Sequence, residues 1–304
     1  MGTYYRVTFV PRGRPPALAN LHAQVRAVLD EVEARMSTYR PESELSRFNS
    51  SRSTEWFAVS AHTAQVVALA VDVGNRSGGR YDVTIGPLVN LWSFGPDRRS
   101  ARPPSDEELG QAQARVGLER LEVRSNPPAL RKTQPELYVD LASVAKGFGV
   151  DQVAALLDQC PVRDYCVDIG GEVRVRGRNL RRAPWQIAIE RPIPGESSMA
   201  RLVALKDRAM ATSGDYRNYF EDQGTRYGHI LDRRTGRPVE NALGSVTVVG
   251  DSCAAADAWA TALFVAGPEE GYQLAIRHGL AALFVARTTH GFVETYTPAM
   301  AALL

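Results

Sequence analysis

Apolar residues set the frame of this chain. Leu18, Leu21, Val25, Val28, Leu29, Val32 and Met36 advance mostly by threes and fours, which predicts an amphipathic helix over residues 16–36. A strand pattern over residues 4–10 precedes it, and Pro41 ends it by disfavouring a helical residue before it. Ser60 opens a second predicted helix that stops at Ser77-Gly78-Gly79, and Ser105 with Glu108 has the capping-box spacing of a third. Residues 93–105, rich in Pro, Arg and Ser, predict an exposed loop.

Strand patterns then cluster at residues 137–141, 164–169, 172–176, 185–190, 202–205, 245–249, 281–286 and 292–295. Helices are predicted over 143–159, around Asp257 and over 268–278. Runs of strands without regular β-α alternation argue for an α+β fold with a mixed or largely antiparallel sheet and flanking helices. No internal repeat or long linker breaks the 304 residues, so a single domain over 1–304 is expected.

Composition narrows the partners. With 36 basic and 34 acidic residues the net charge is +2, and the arginines are scattered. The pairs Arg98-Arg99 and Arg181-Arg182 read as solvated loop charges, and neither nucleic acid nor an anionic membrane is an expected partner. The most apolar stretch, 245–267, is broken by Asp251 and Asp257, so no transmembrane segment is expected. The compartment stays open: periplasmic or inner-membrane-associated if an N-terminal signal was removed, cytoplasmic otherwise. Cys160, Cys166 and Cys253 make no metal motif and no evident disulfide framework.

Candidate chemistry begins with Asp257 and Thr261. Four residues apart on a helix, they leave the same face and offer hard oxygen donors of the kind Mg²⁺ prefers. The surrounding residues are small and apolar, so an ionised Asp257 needs a partner. A bland account also exists, with Asp257 paired structurally and Thr261 bonded to a carbonyl. Asp140-Leu141-Ala142-Ser143-Val144-Ala145-Lys146-Gly147 joins a strand pattern to a helix start, where backbone N–H groups and Lys146 suit phosphate. Asp140 could equally cap that helix, and Lys146 could be a solvated charge. His229 is one of five histidines and could be structural. The chain lacks G-x-G-x-x-G after its first strand, G-x-x-x-x-G-K-[ST], H-E-x-x-H and C-x-x-C, which argues against a dinucleotide-binding Rossmann fold, a P-loop NTPase and a zincin.

Taken in order, the polar segments resemble the ApbE family of FAD:protein FMN transferases. They are Met1-Gly2-Thr3, Ser37-Thr38-Tyr39, the run from Tyr81-Asp82-Val83-Thr84 to Asn90-Leu91-Trp92, and Asp140 to Gly147. Asp168-Ile169-Gly170-Gly171, Thr212-Ser213-Gly214-Asp215-Tyr216-Arg217-Asn218-Tyr219, His229-Ile230-Leu231-Asp232 and Ala256-Asp257-Ala258-Trp259-Ala260-Thr261 follow. The resemblance spans essentially the whole chain. It implies an enzyme that cuts FAD at its pyrophosphate and transfers FMN to a Thr or Ser hydroxyl of an acceptor protein, releasing AMP.

The same resemblance implies Mg²⁺ on the Asp257 carboxylate, the Thr261 hydroxyl and the backbone carbonyl of Ser143. It implies an FAD site lined by Met1, Tyr39, Arg80, Tyr81, Asp82, Asp140, Lys146 and Leu231, with Tyr39 against the isoalloxazine ring. His229 is the candidate general base, because an imidazole titrates near neutrality. The rival readings are a Mg²⁺-dependent FAD pyrophosphatase and a non-catalytic FAD-binding carrier. A flavinylated acceptor ranks last, because neither Ser77-Gly78-Gly79 nor Ser213-Gly214-Asp215 matches a Ser/Thr-Gly-Ala-Thr segment.

Overall fold

A computed structural model describes residues 2–11, 17–97, 102–193, 195, 198–216 and 218–304. The backbone contacts divide the chain into two compact units, each assembled from separate stretches. The first holds residues 1–32, 144–214 and 242–304, and the second holds 33–143 and 215–241.

The first unit is built on a seven-stranded sheet whose strands lie side by side in chain order: Tyr5–Phe9, Tyr165–Ile169, Glu172–Arg176, Arg208–Gly214, Leu243–Gly250, Ala281–Thr288 and Gly291–Tyr296. Every neighbouring pair is antiparallel. The fold is α+β, and its ladders among the described residues are antiparallel rather than mixed. The strand Leu243–Gly250 is buried along nearly its whole length, because both sheet faces are covered. On one face, Leu21, Val25 and Leu29 of the first helix join Val150, Val153 and Leu157 over Val167 and Ile169. On the other, the hairpin Trp185–Glu190 with Met199–Leu205 packs Ile189, Val203 and Leu205 against Val173, Val175 and Val249. Each such side chain contributes roughly 1.5–3 kcal/mol on burial.

In the second unit, the helices Ala61–Arg76 and Asp106–Gln113 start where the capping residues predict. Ser60 Oγ accepts from Thr63 N, and Ser105 with Glu108 forms a complete capping box. A three-stranded sheet pairs Leu121–Ser125 and Phe57–Ala58 with Pro128–Lys132, and a hairpin joins Tyr219–Asp222 to Thr225–Gly228. Leu88, Leu91, Trp92, Leu109 and Leu231 share one apolar cluster, and Trp92 Nε1 donates to Gly236 O at 2.8 Å.

Several expectations need correction. Residues 137–141 bury Leu137, Val139 and Leu141 in alternation, but they form no strand and join no sheet. The Asn49 side chain stands in for a strand partner there. Its Nδ2 donates to Val139 O, and Val139 N donates to its Oδ1, each at 2.8 Å. The first helix begins at Leu18, and Pro16 lies outside the described residues, as do Arg98 and Arg99 of the expected loop. Among the described residues no helix is long and apolar enough to cross a membrane.

Candidate active site

In the first unit, the helix Cys253–Ala266 carries Asp257 and Thr261 one turn apart, with Ser252 as its N-cap. Asp257 is 3% exposed, and Gly147 N donates to its Oδ2 at 3.1 Å. Gly147 belongs to the helix Ala142–Gln159 and has no side chain for a geometric reason: a Cβ there would lie 2.4 Å from Cys253 O and 2.8 Å from Ala254 Cα. The two helix backbones therefore touch at the residue that grips Asp257. Among the described residues no other hydrogen bond reaches that carboxylate.

Lys146, the preceding residue, holds Glu172 Oε1 at 2.5 Å, and Glu172 is almost fully buried at the start of its strand. Burial pushes the Asp257 carboxyl well above the usual carboxylate range. The Lys146 ammonium pulls it back and Glu172 pushes it further up. Burial disfavours the Lys146 charge, but the carboxylates of Asp257 and Glu172 outweigh that, so the lysine stays protonated. Lys146 thus pairs directly with Glu172 and acts on Asp257 through its charge. A divalent cation on Asp257 would relieve what burial and Glu172 impose on it, and the donors beside it are hard oxygens. The half-buried Thr261 has its Oγ1 2.9 Å from Ser213 Oγ, on the strand Arg208–Gly214. A Thr261 hydroxyl that donates to Ser213 keeps both oxygen lone pairs for a ligand. These residues fit a Mg²⁺ site of one carboxylate completed by phosphate oxygens.

In the second unit, Tyr81 is buried and its OH accepts from Ser143 Oγ at 3.0 Å. Ser143 sits on the first turn of the helix Ala142–Gln159, one turn before Gly147. Asp140 Oδ1 accepts from Ala142 N at 2.8 Å and so starts that helix; burial raises its carboxyl pKa, partly offset by that bond. Asp82 accepts from Thr84 N and Thr84 Oγ1 through Oδ1, and from Arg233 Nη1 at 2.7 Å through Oδ2. Its carboxylate is committed to holding the chain. The Leu231 side chain likewise lies in the apolar cluster with Trp92. Arg80 is half-buried after Gly78 and Gly79, whose φ values of +64° and +78° favour glycine.

Tyr39 is 61% exposed, and its OH donates to Phe94 O at 3.0 Å. The Phe94 ring meets His229 edge-on, with centroids 6.3 Å apart. His229 Nδ1 lies 3.0 Å from Asn218 O. A carbonyl only accepts, so Nδ1 carries the proton and Nε2 is the lone-pair nitrogen of the neutral ring.

The structure thus groups Lys146, Asp257 and Thr261 in one unit, and Tyr39 with His229 through Phe94, and Tyr81 with Ser143, in the other. Met1 and Arg217 lie outside the described residues. Two participants are absent from the sequence reading, Glu172 and Ser213 as partners of Lys146 and Thr261. Ser213 falls in a segment whose small polar residues were legible, whereas Glu172 gives no signal beyond following Gly170-Gly171.

The sequence matches the ApbE family over residues 1–284. A FAD:protein FMN transferase of Vibrio cholerae is 46% identical over 294 residues, covering 97% of this chain and 87% of the relative. That of Escherichia coli K12 is 37% identical over 300 residues, covering 98% and 85%. Among solved structures, the flavin transferase ApbE from Vibrio cholerae superposes with a TM-score of 0.93 at 43% identity, covering 100% of this chain and 96% of that one. The apo flavinyl transferase ApbE of Pseudomonas stutzeri gives 0.90 at 40% identity, covering 100% and 94%.

Proposed function

The chain belongs to the ApbE family, and we propose that it transfers FMN from FAD to a Thr or Ser hydroxyl of an acceptor protein, releasing AMP. The observation that carries the reading is the Asp257 group: a buried carboxyl held by Gly147 N, with the Thr261 hydroxyl one turn further along the same helix and Lys146 next to Gly147 in the chain. Mg²⁺ bound there would neutralise the diphosphate and polarise its phosphorus.

The chain's own residues have distinct tasks. Asp257 and Thr261 would hold the cation from their side chains, and Ser143 from its backbone carbonyl. Lys146 supplies positive charge to phosphate oxygens and to the departing AMP. Tyr39 offers a ring face to the flat isoalloxazine. His229 accepts the acceptor hydroxyl proton at Nε2 as that oxygen bonds to the FMN phosphorus and the P–O bond to AMP breaks. Asp140 and Asp82 support the site by fixing the helix start and the segment around Tyr81.

The test is incubation of the protein with FAD and Mg²⁺, with and without an acceptor domain. AMP release coupled to flavin mass on the acceptor supports transfer. Equally fast AMP release without acceptor makes the protein a pyrophosphatase, and intact FAD throughout makes it a carrier.

A further inference from the structure

Asp151 stands one turn after Gly147 on the helix Ala142–Gln159, and its carboxylate closes the N-terminus of the other helix. Oδ1 accepts from Cys253 N at 3.0 Å; Oδ2 accepts from Ala254 N at 3.0 Å and from Ser252 Oγ at 2.9 Å. Arg174 Nη1, from the neighbouring strand, reaches Oδ1 at 2.5 Å. A helix N-terminus presents N–H groups without partners and a partial positive charge, and an anion there satisfies both. Normally a residue of the same helix supplies that cap. Here Ser252 caps Ala255, and a second helix supplies the carboxylate for the N–H groups before it.

The two helices are therefore stapled twice, four residues apart on each partner. Gly147 N holds Asp257, and Asp151 holds residues 252–254, while the bare Cα of Gly147 lets the backbones close between the staples. We propose that Asp151 is a positioning residue for the cation site, fixing the height and rotation of the helix that carries Asp257 and Thr261. This rests on the metal reading above. Asp151 itself touches no substrate. It acts by holding the Asp257 carboxylate at Gly147 N. A displacement of about 1 Å is enough to spoil Mg²⁺ geometry, because that ion demands near-ideal octahedral placement.

A comparison on the same helix separates positioning from general stability. Asp158, two turns further on, accepts from Tyr165 OH at 2.8 Å and pairs with Arg176, so its loss also weakens the packing of this helix. Mn²⁺ titration with FAD present, followed by electron paramagnetic resonance, reads cation affinity directly in wild type, Asp151→Asn and Asp158→Asn, with thermal unfolding measured in parallel. Asp151→Asn is expected to weaken Mn²⁺ binding tenfold or more. Asp158→Asn is expected to change it less than twofold at a comparable loss of Tm. Unchanged affinity in Asp151→Asn, or an equal loss in Asp158→Asn, overturns the proposal while leaving the metal reading standing. No Mn²⁺ binding by wild type overturns both. If Asp151→Asn fails to fold, Ser252→Ala removes one of the four bonds to Asp151 together with the cap on Ala255 N, and a two- to fivefold weakening is expected; unchanged affinity there overturns the proposal.

Discussion

Ser213 and Thr261 face each other hydroxyl to hydroxyl at 2.9 Å, one on a sheet strand and the other on the helix above it. Only one of them donates in that bond. If Thr261 does, its oxygen is aimed at a cation by a residue that never touches the metal. Ser213→Ala should raise the Mg²⁺ concentration needed for half-maximal transfer about fivefold, the worth of one hydrogen bond, and Ser213→Thr should restore it. Activity against Mg²⁺ concentration checks this.

Asp257→Ala should abolish metal-dependent transfer while the protein stays folded. Its removal takes a desolvated carboxyl out of the interior but leaves the buried Gly147 N without its acceptor, so the two effects oppose and Tm should change little. Wild-type turnover by that variant, in an AMP-release assay across Mg²⁺ concentrations, counts against the metal assignment.

His229→Ala should lower kcat by about 10²–10⁴-fold and change FAD binding little, because its Nε2 is assigned to a proton and not to the cofactor. Equal losses in turnover and in affinity, the latter from flavin fluorescence, would reassign the residue to binding.

Tyr39 separates ring from hydroxyl. Tyr39→Phe keeps the aromatic face and removes the hydroxyl that bonds Phe94 O, so FAD affinity should fall less than threefold. Tyr39→Ala loses the face and should weaken FAD about tenfold. Calorimetric titration of both variants decides it.

Lys132 gives the fold a pH signature. Its buried ammonium donates to the carbonyls of Phe48, Asn49 and Leu137, and burial brings its pKa down from 10.5 to about 8. Between those values the unfolded chain holds the proton and the folded chain has released it, so rising pH favours folding; below pH 8 both hold it. Wild type should therefore gain on Lys132→Met between pH 8 and 10. The gain is at most ~3 kcal/mol, reduced because a neutral amine has two N–H groups for three carbonyls. At pH 7 the variant should lose roughly 2–3 kcal/mol from the orphaned carbonyls. Urea denaturation at several pH values measures both.

Much of this was legible from sequence because the signals were local. Ser60 and the Ser105–Glu108 pair announce helix starts, and Glu172–Arg176 matches its strand pattern end to end. Arg208–Gly214 escaped notice because its residues are mostly small and both faces are covered, so no alternation shows. The hairpins 121–132 and 219–228 were missed because short strands carry little periodicity. Residues 137–141 show the alternating burial of a strand without being one, since no pattern shows that an asparagine side chain ninety positions away serves as partner. The site divides likewise. Asp257 and Thr261 are linked by helical spacing, but Glu172, Ser213 and Asp151 acquire their roles only from neighbours that the fold brings to them.

The interleaving of the two units governs how the protein can be made and broken. The polypeptide passes between them four times, after Val32, Ser143, Gly214 and Asn241. During synthesis, every residue of the second unit has emerged by Asn241, while the first still awaits its last three strands. Tyr5–Phe9, translated almost first, has no sheet neighbour until Tyr165–Ile169 appears. A single protease nick therefore liberates neither unit intact, and a truncation before residue 296 leaves the earlier-born strands without the far edge of their sheet.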